Sequence, residues 1–184
     1  MTAAIGVRQE SVKWDCRTIL RKFEGDVDDY RRRLGKALGE EQFDVKEQPF
    51  EERVIEGNLL LDEGVECLFK LMAGLTATAY SEANARLGVG DTATPAAERT
   101  QTDLQAPTNK LYKAMDTGYP VVGATAAHKI TFRSSFGAGD ANFAWEEWSV
   151  DNGATAHLSI NRKVESLGTK AGGTWQLTIE ISLS

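Results

Sequence analysis

The end of the chain alternates without interruption: Trp175, Leu177, Ile179, Ile181 and Leu183 on one side, Thr174, Gln176, Thr178, Glu180 and Ser182 on the other. A period of two is the pattern of a β-strand, and alternation this clean predicts a buried face and a wet face, with Trp175 and Ile179 in the core. Earlier runs repeat the pattern less perfectly. Leu87 and Val89 flank Gly88; Leu111, Lys113 and Met115 oppose Tyr112 and Ala114; Ile130, Phe132 and Phe136 alternate with Lys129, Thr131, Arg133 and Ser135. Turn residues separate these runs at Asp116-Thr117-Gly118, Gly137-Ala138-Gly139-Asp140, Asp151-Asn152-Gly153 and Ala171-Gly172-Gly173. Short alternating strands joined by such turns predict antiparallel pairing.

One stretch keeps a different period. Between Asn58 and Gly74, Leu61, Val65, Leu68 and Met72 form a stripe that Leu60, Cys67 and Leu71 widen, predicting a helix over about 58–73 packed on a sheet face. Asn58 or Asp62 can cap its start, Asp62 and Glu63 suit its first turn, and Gly74 can end it. The N-terminal third is mixed. Cys16, Leu20, Phe23, Val27, Tyr30 and Leu34 recur at helical spacing, yet Val12, Trp14 and Cys16 also alternate with Lys13 and Asp15, and Gly25-Asp26 interrupts. We expect an extended segment over 12–23, then a helix opened by Asp26 or Asp28 that fades near Gly39. Arg31, Arg32 and Arg33 read as a solvated face that Asp26, Asp28 and Asp29 partly neutralise. After Pro49, Arg53-Val54-Ile55 can add an edge strand.

Charge divides the chain. Residues 1–58 hold 11 Lys/Arg and 13 Asp/Glu, whereas 59–184 hold 10 and 14 over more than twice the length, with 12 of the 17 glycines. The expected organisation is a charged helical or extended N-terminal arm, 1–53, followed by a domain over 54–184. That domain is mainly β with α: an antiparallel β-sandwich or jelly-roll-like fold with one packed helix. The polar stretch 93–107 reads as a long surface loop suited to partner contacts. A net charge of −6 and a pI near 5.1 lack the basic footprint of a nucleic-acid binder. No apolar run is long enough to span a bilayer, and the N-terminus lacks the apolar core of a secretory signal, so neither a membrane nor export is expected. Cys16 and Cys67, the only cysteines, stand 51 residues apart in no metal or disulfide pattern and read as reduced core residues.

Candidate chemistry is sparse. A nucleophile with a base would need His128 or His157, the only histidines, and an enzyme reading requires both to converge on a cleft with a carboxylate. Glu146 and Glu147 are adjacent in FAWEEWSV, where neighbouring strand residues point to opposite faces and cannot share a proton. Either aromatic-bearing face then carries a carboxylate, which implies a bulge or a buried ion pair with Arg162 or Arg133. Gly88-Val89-Gly90-Asp91 lacks the lysine and further glycines of a phosphate loop and reads as a strand-to-loop turn. Asp91, Asp140 and Asp151 are isolated turn aspartates, too dispersed for calcium. Trp145, Trp148, Trp175 and Tyr119 could form a sugar-stacking platform, although tryptophans in alternating strands are more often core. No catalytic, cofactor-binding or metal-binding residue is assigned, and neither a cofactor nor a small-molecule substrate is expected.

IEGNLLLDEGVECLFKLMAG, ANARLGVGD, TDLQAP, KLYKAMDTGYP, NFAWEEWSVDNG, INRKVESLGTK and TWQLTIEISLS together resemble a group of virion structural proteins of tailed bacteriophages, over about Val54 to Ser184. The order of helix, variable loop, Trp/Glu-rich strand, basic strand and terminal W-x-L strand is also similar to attachment domains at the start of phage tail fibres. The resemblance implies a non-enzymatic β domain, made in the host cytoplasm and assembled into the virion as a homo-oligomer beside the major capsid protein or tail proteins. A capsid decoration or cement protein is the favoured station, a tail, baseplate or fibre-attachment protein the alternative, and a carbohydrate-binding β-sandwich the second alternative.

Overall fold

The computed structural model describes residues 13–25, 49–123, 128–154 and 157–183. Along the chain these form β1 (Trp14–Phe23), β2 (Glu51–Glu56), β3 (Leu59–Leu60), α1 (Asp62–Met72), β4 (Arg86–Gly90), β5 (Lys110–Ala114), β6 (Val121–Val122), β7 (Lys129–Phe136), β8 (Ala144–Asp151), β9 (Asn161–Thr169) and β10 (Thr174–Leu183). Two five-stranded sheets, ordered β2-β1-β10-β7-β6 and β3-β9-β8-β4-β5, pack together as a mainly β sandwich, and every strand pair is antiparallel. The helix expected over 26–39 and the Arg31-Arg32-Arg33 run lie outside the described residues.

The inner faces follow from the alternation. Across the first sheet, Leu20 stands opposite Leu177, Ile179 opposite Phe132 and Trp175 opposite Phe136. Leu87, Val89, Trp148 and Val150 line the second, and all these side chains are buried. The Trp148 indole N–H crosses between the sheets to the Thr18 hydroxyl at 3.1 Å, giving a buried donor its acceptor.

Four features depart from the sequence reading. First, β1 comes from the segment that composition sets apart as an arm, yet it lies between β2 and β10 and buries Cys16, Ile19, Leu20 and Phe23. The jump in charge density near residue 53 therefore does not mark a break in the sheet: charge collects on the outward positions Arg17 and Arg21, which meet Glu56 and Glu52 across β2. Second, β10 is buried on both sides. Thr174, Gln176 and Thr178 are as enclosed as the apolar row, because the strand is central in its sheet, and Gln176 donates to the Ser135 hydroxyl at 3.2 Å. Its last apolar residue, Leu183, is exposed.

Third, α1 starts at Asp62, with Leu61 in the cap position and no side-chain cap, although Asp62 and Glu63 do occupy the first turn and Gly74 follows the last. Its buried stripe is rotated from the expected one. Gly64 sits against the backbone of Ile160, so closely that a Cβ would fall 2.5 Å from the Ile160 Cα, and this contact turns Gly64 and Cys67 inward and leaves Met72 outside. The helix packs on the segment between β8 and β9 instead of lying across a sheet face. Fourth, the connection from β4 to β5 is not a free loop: Leu104 and Ala106 are buried over the second sheet, while most of 93–100 is exposed.

Candidate functional site

The docked loop is held by the one carboxylate that the strand pattern could not place. Between Trp145 and Glu147 the register of β8 with β9 shifts, so both Trp145 and Trp148 reach the core while Glu147 turns to the outer face. There Glu147 and Arg162 form a fully buried ion pair, Nε to Oε2 at 2.6 Å. The carboxylate also accepts the backbone N–H of Gln105 at 3.0 Å and of Ala106 at 2.7 Å. Arg162 Nη1 donates to the Pro95 carbonyl at 3.1 Å and to Gln101 Oε1 at 2.9 Å. One ion pair thus ties β8 and β9 to both halves of the loop. The expected pairing of Glu147 with Arg162 or Arg133 resolves to Arg162; Arg133 instead pairs with Asp116 at 3.0 Å and lies over the Tyr119 ring. Glu146 is separate, accepting from the Ser166 hydroxyl at 2.9 Å.

The GVGD segment belongs to this arrangement and is not a turn. Gly88 and Gly90 lie within β4 on its outer face, where a Cβ on Gly88 would meet Tyr112 and Leu104, and one on Gly90 would meet Glu147 and Ala106. The glycines provide the close approach that lets the loop settle on the sheet. A pair of glycines at alternate strand positions was the available signal.

A second polar string runs from the loop to the β8–β9 turn. Asp103 accepts the Tyr112 hydroxyl and the Lys110 ammonium, and the His157 ring stacks on Tyr112 with centroids 4.3 Å apart. His157 Nδ1 stands 3.6 Å from Oδ2 of the buried Asp151, whose other oxygen accepts the Gly153 N–H. Burial pushes the Asp151 carboxyl above its ordinary range. Glu63 is pushed up to about 7, chiefly by burial and further by Asp103, Asp151 and Glu66, against the lowering effect of the Ser159 N–H.

These groups hold turns together. Among the described residues, no hydroxyl or thiol is hydrogen-bonded to His157, and His128 lies on the other sheet, where its carbonyl accepts the Leu183 N–H. The two histidines do not converge. Glu147 is sealed from solvent with both oxygens occupied, so it cannot exchange a proton with a bound molecule. Asp140 is taken by Lys113 and the Gly137 N–H, and Asp91 by Asn109. No group of three or more His, Cys, Asp or Glu among the described residues could hold a metal. Cys16 and Cys67 are free and buried, and burial raises the Cys16 thiol to about 12, far from a reactive thiolate. Trp145, Trp148 and Trp175 are in the core and offer no ring face to a sugar.

The surface carries more. Among the described residues, large apolar side chains are exposed at Phe50 and Val54 at the β2 edge of the first sheet, at Val121 and Val122 at its opposite β6 edge, at Phe69, Met72 and Leu75 on and after α1, and at Leu183 at the end of β10. Of these, Met72 was expected in the packed stripe of the helix, Val54 in an edge strand and Leu183 in the apolar row of the last strand, and the others were not singled out, because periodicity marks apolar residues and cannot distinguish a core face from a contact face. No protein-family model, curated protein or solved structure matches this chain.

Proposed function

We propose that this chain is a structural component of a tailed-phage virion, most consistent with a capsid decoration or cement protein that works through protein–protein contacts and has no catalytic function. The observation that carries the reading is the placement of exposed apolar residues at both edges of one sheet. Phe50 adjoins β2 and Val54 lies within it, Val121 and Val122 form β6, and β1, β10 and β7 separate the two edges. Exposed edge strands with apolar side chains are sites where another chain can add or pack. Two such edges facing apart allow one molecule to bridge two neighbours, which is what a cement protein does. The sequence resemblance to phage virion proteins supports the same reading, and the partners it implies are the major capsid protein or tail proteins, together with further copies of this chain. The rigid sandwich, tied by its buried ion pair, would hold the two edges at a fixed separation.

Quantitative mass spectrometry of purified virions, against the major capsid protein as internal standard, tests this. We expect hundreds of copies per particle, as shell symmetry demands. A count of about six to twelve would move the protein to the tail, baseplate or fibre attachment, where rings of that order occur. Absence from the particle would overturn the virion reading.

A further inference from the structure

We infer that the turn joining β8 to β9 is a proton-dependent latch: protons held on Asp151 and Glu63 keep His157 closed against Tyr112, and their loss as the pH rises lets the turn open locally. The inference is independent of the virion reading.

Two carboxyls meet under this turn from different elements without a cation of their own. Asp151 ends β8 and is fully buried. Glu63, in the first turn of α1, accepts the N–H of Ser159 at 3.3 Å, and Ser159 is bridged to Asp151 across the turn. Among the described residues neither carboxyl is paired with a lysine or arginine, whereas the carboxylates around them are: Asp103 binds Lys110 at 2.9 Å and Glu66 binds Lys70 at 2.6 Å. Arg86, on β4, lies beside Gly153, where a Cβ would stand 3.3 Å from its Nε, and pairs with neither. Tyr80 sends its hydroxyl to the Leu158 carbonyl at 3.2 Å, and the buried Cys67 faces Asn152 at 3.9 Å. That leaves His157. Its Nδ1 stands 3.6 Å from Asp151 Oδ2, and both atoms are buried without a hydrogen bond. A neutral Asp151 that donates to Nδ1 satisfies both and leaves no charge in the interior.

His157 is the part that can move. Its φ of +49° lies in the left-handed region that a residue with a side chain rarely adopts, its ring is partly exposed, and it rests on Tyr112 at 4.3 Å between centroids. Tyr112 is itself fixed to Asp103. When Asp151 and Glu63 ionise together beside Asp103, outward movement of the turn relieves both the repulsion and the cost of a buried charge, and the strained backbone favours the same direction. Burial raises both groups: Asp151 against the lowering effect of the Gly153 and Leu158 N–H groups and His157, and Glu63 to about 7. Raised folded values mean that closure is stabilised at low pH and lost as the pH rises through about 7.

The test is the ring-to-ring nuclear Overhauser contact between His157 and Tyr112 in the full chain, followed from about pH 5.5 to about 8.5. His128→Gln assigns the two histidines. We expect the contact at the acidic end and its loss with a midpoint near 7, while the far-UV circular dichroism stays constant because the sandwich remains folded. In Glu63→Gln, a partly exposed site, the contact should persist across the range, because the repulsion is gone. It should also persist in Asp151→Asn, whose amide can donate to Nδ1 while its oxygen accepts from Gly153; if that buried variant does not fold, Glu63→Gln decides alone. A wild-type contact that does not change with pH, a loss at the same midpoint in Glu63→Gln, or a loss that coincides with unfolding of the whole chain would each overturn the inference.

Discussion

Glu147 and Arg162 are charged residues with no exposure, and their energetics differ from those of a surface pair. Removing one partner of a buried pair leaves the other desolvated and unpaired, which typically costs about 3–5 kcal/mol, whereas replacing both by apolar groups can be close to neutral. We therefore expect Arg162→Met alone to lower the free energy of unfolding by about 3–5 kcal/mol in chemical denaturation, and Glu147→Gln to be destabilising as well, since Gln105 and Ala106 donate to different oxygens and an amide offers only one acceptor, its NH2 group facing another donor. The double variant should be less destabilised than the sum of the singles; additivity would mean that the two groups act independently. Glu63 carries the second residue-scale prediction. Its folded value, about 7, lies above the ordinary 4.5, so between those values the folded chain keeps a proton that the unfolded chain releases. The stability this contributes is fully present below pH 4.5 and is lost as the pH rises through 7. Asp151 is shifted in the same direction. A melting-temperature profile from pH 4.5 to 8 should therefore fall more steeply toward neutral pH in the wild type than in Glu63→Gln. Parallel profiles would show that Glu63 titrates normally in the folded chain.

At the scale of elements, the strands were legible wherever one face is apolar and the other polar. Ile130 and Phe132 in β7, Leu87 and Val89 in β4 and the Trp175-to-Ile181 row in β10 all occupy the expected side. The ion pair was legible too, because a carboxylate in an aromatic strand needs either a bulge or a cation, and β8 has both. Legibility failed where contacts between distant segments override the local pattern. The register of α1 is set by one glycine meeting the backbone of Ile160, about a hundred residues away, and no periodicity within the helix contains that information. The docking of Leu104 and Ala106 depends on glycines in β4 and a carboxylate in β8, so a polar-looking stretch became part of the packed structure. The polar row of β10 is buried because strands lie on either side of it, and strand order is a property of the sheet that a single strand's alternation does not record.

The whole molecule depends on a strand that composition would assign to an appendage. β1 pairs with β10 from Trp14–Leu183 through Phe23–Thr174, and with β2 from Arg17–Glu56 through Lys22–Glu51, so among the described strands it joins β2 to the rest of the first sheet. It also supplies Thr18, the acceptor for the Trp148 indole in the opposite sheet. Burial of Cys16, Ile19, Leu20 and Phe23 contributes roughly 1.5–3 kcal/mol for each of the larger side chains, a sum comparable with the roughly 5–15 kcal/mol net stability of a whole domain. Deleting residues 1–40 would strip those contacts, detach β2 and expose the backbone edge of β10. The expected outcome is a chain without a cooperative thermal transition and prone to aggregate, in contrast to the folded remainder that a dispensable arm would leave. Circular dichroism melting of the truncated chain decides between them: a cooperative transition within a few degrees of the full-length protein would show that the sandwich closes without β1. If the transition is lost, assembly defects in N-terminal truncations cannot be ascribed to a missing partner contact, and contacts have to be mapped with point substitutions on the exposed edges.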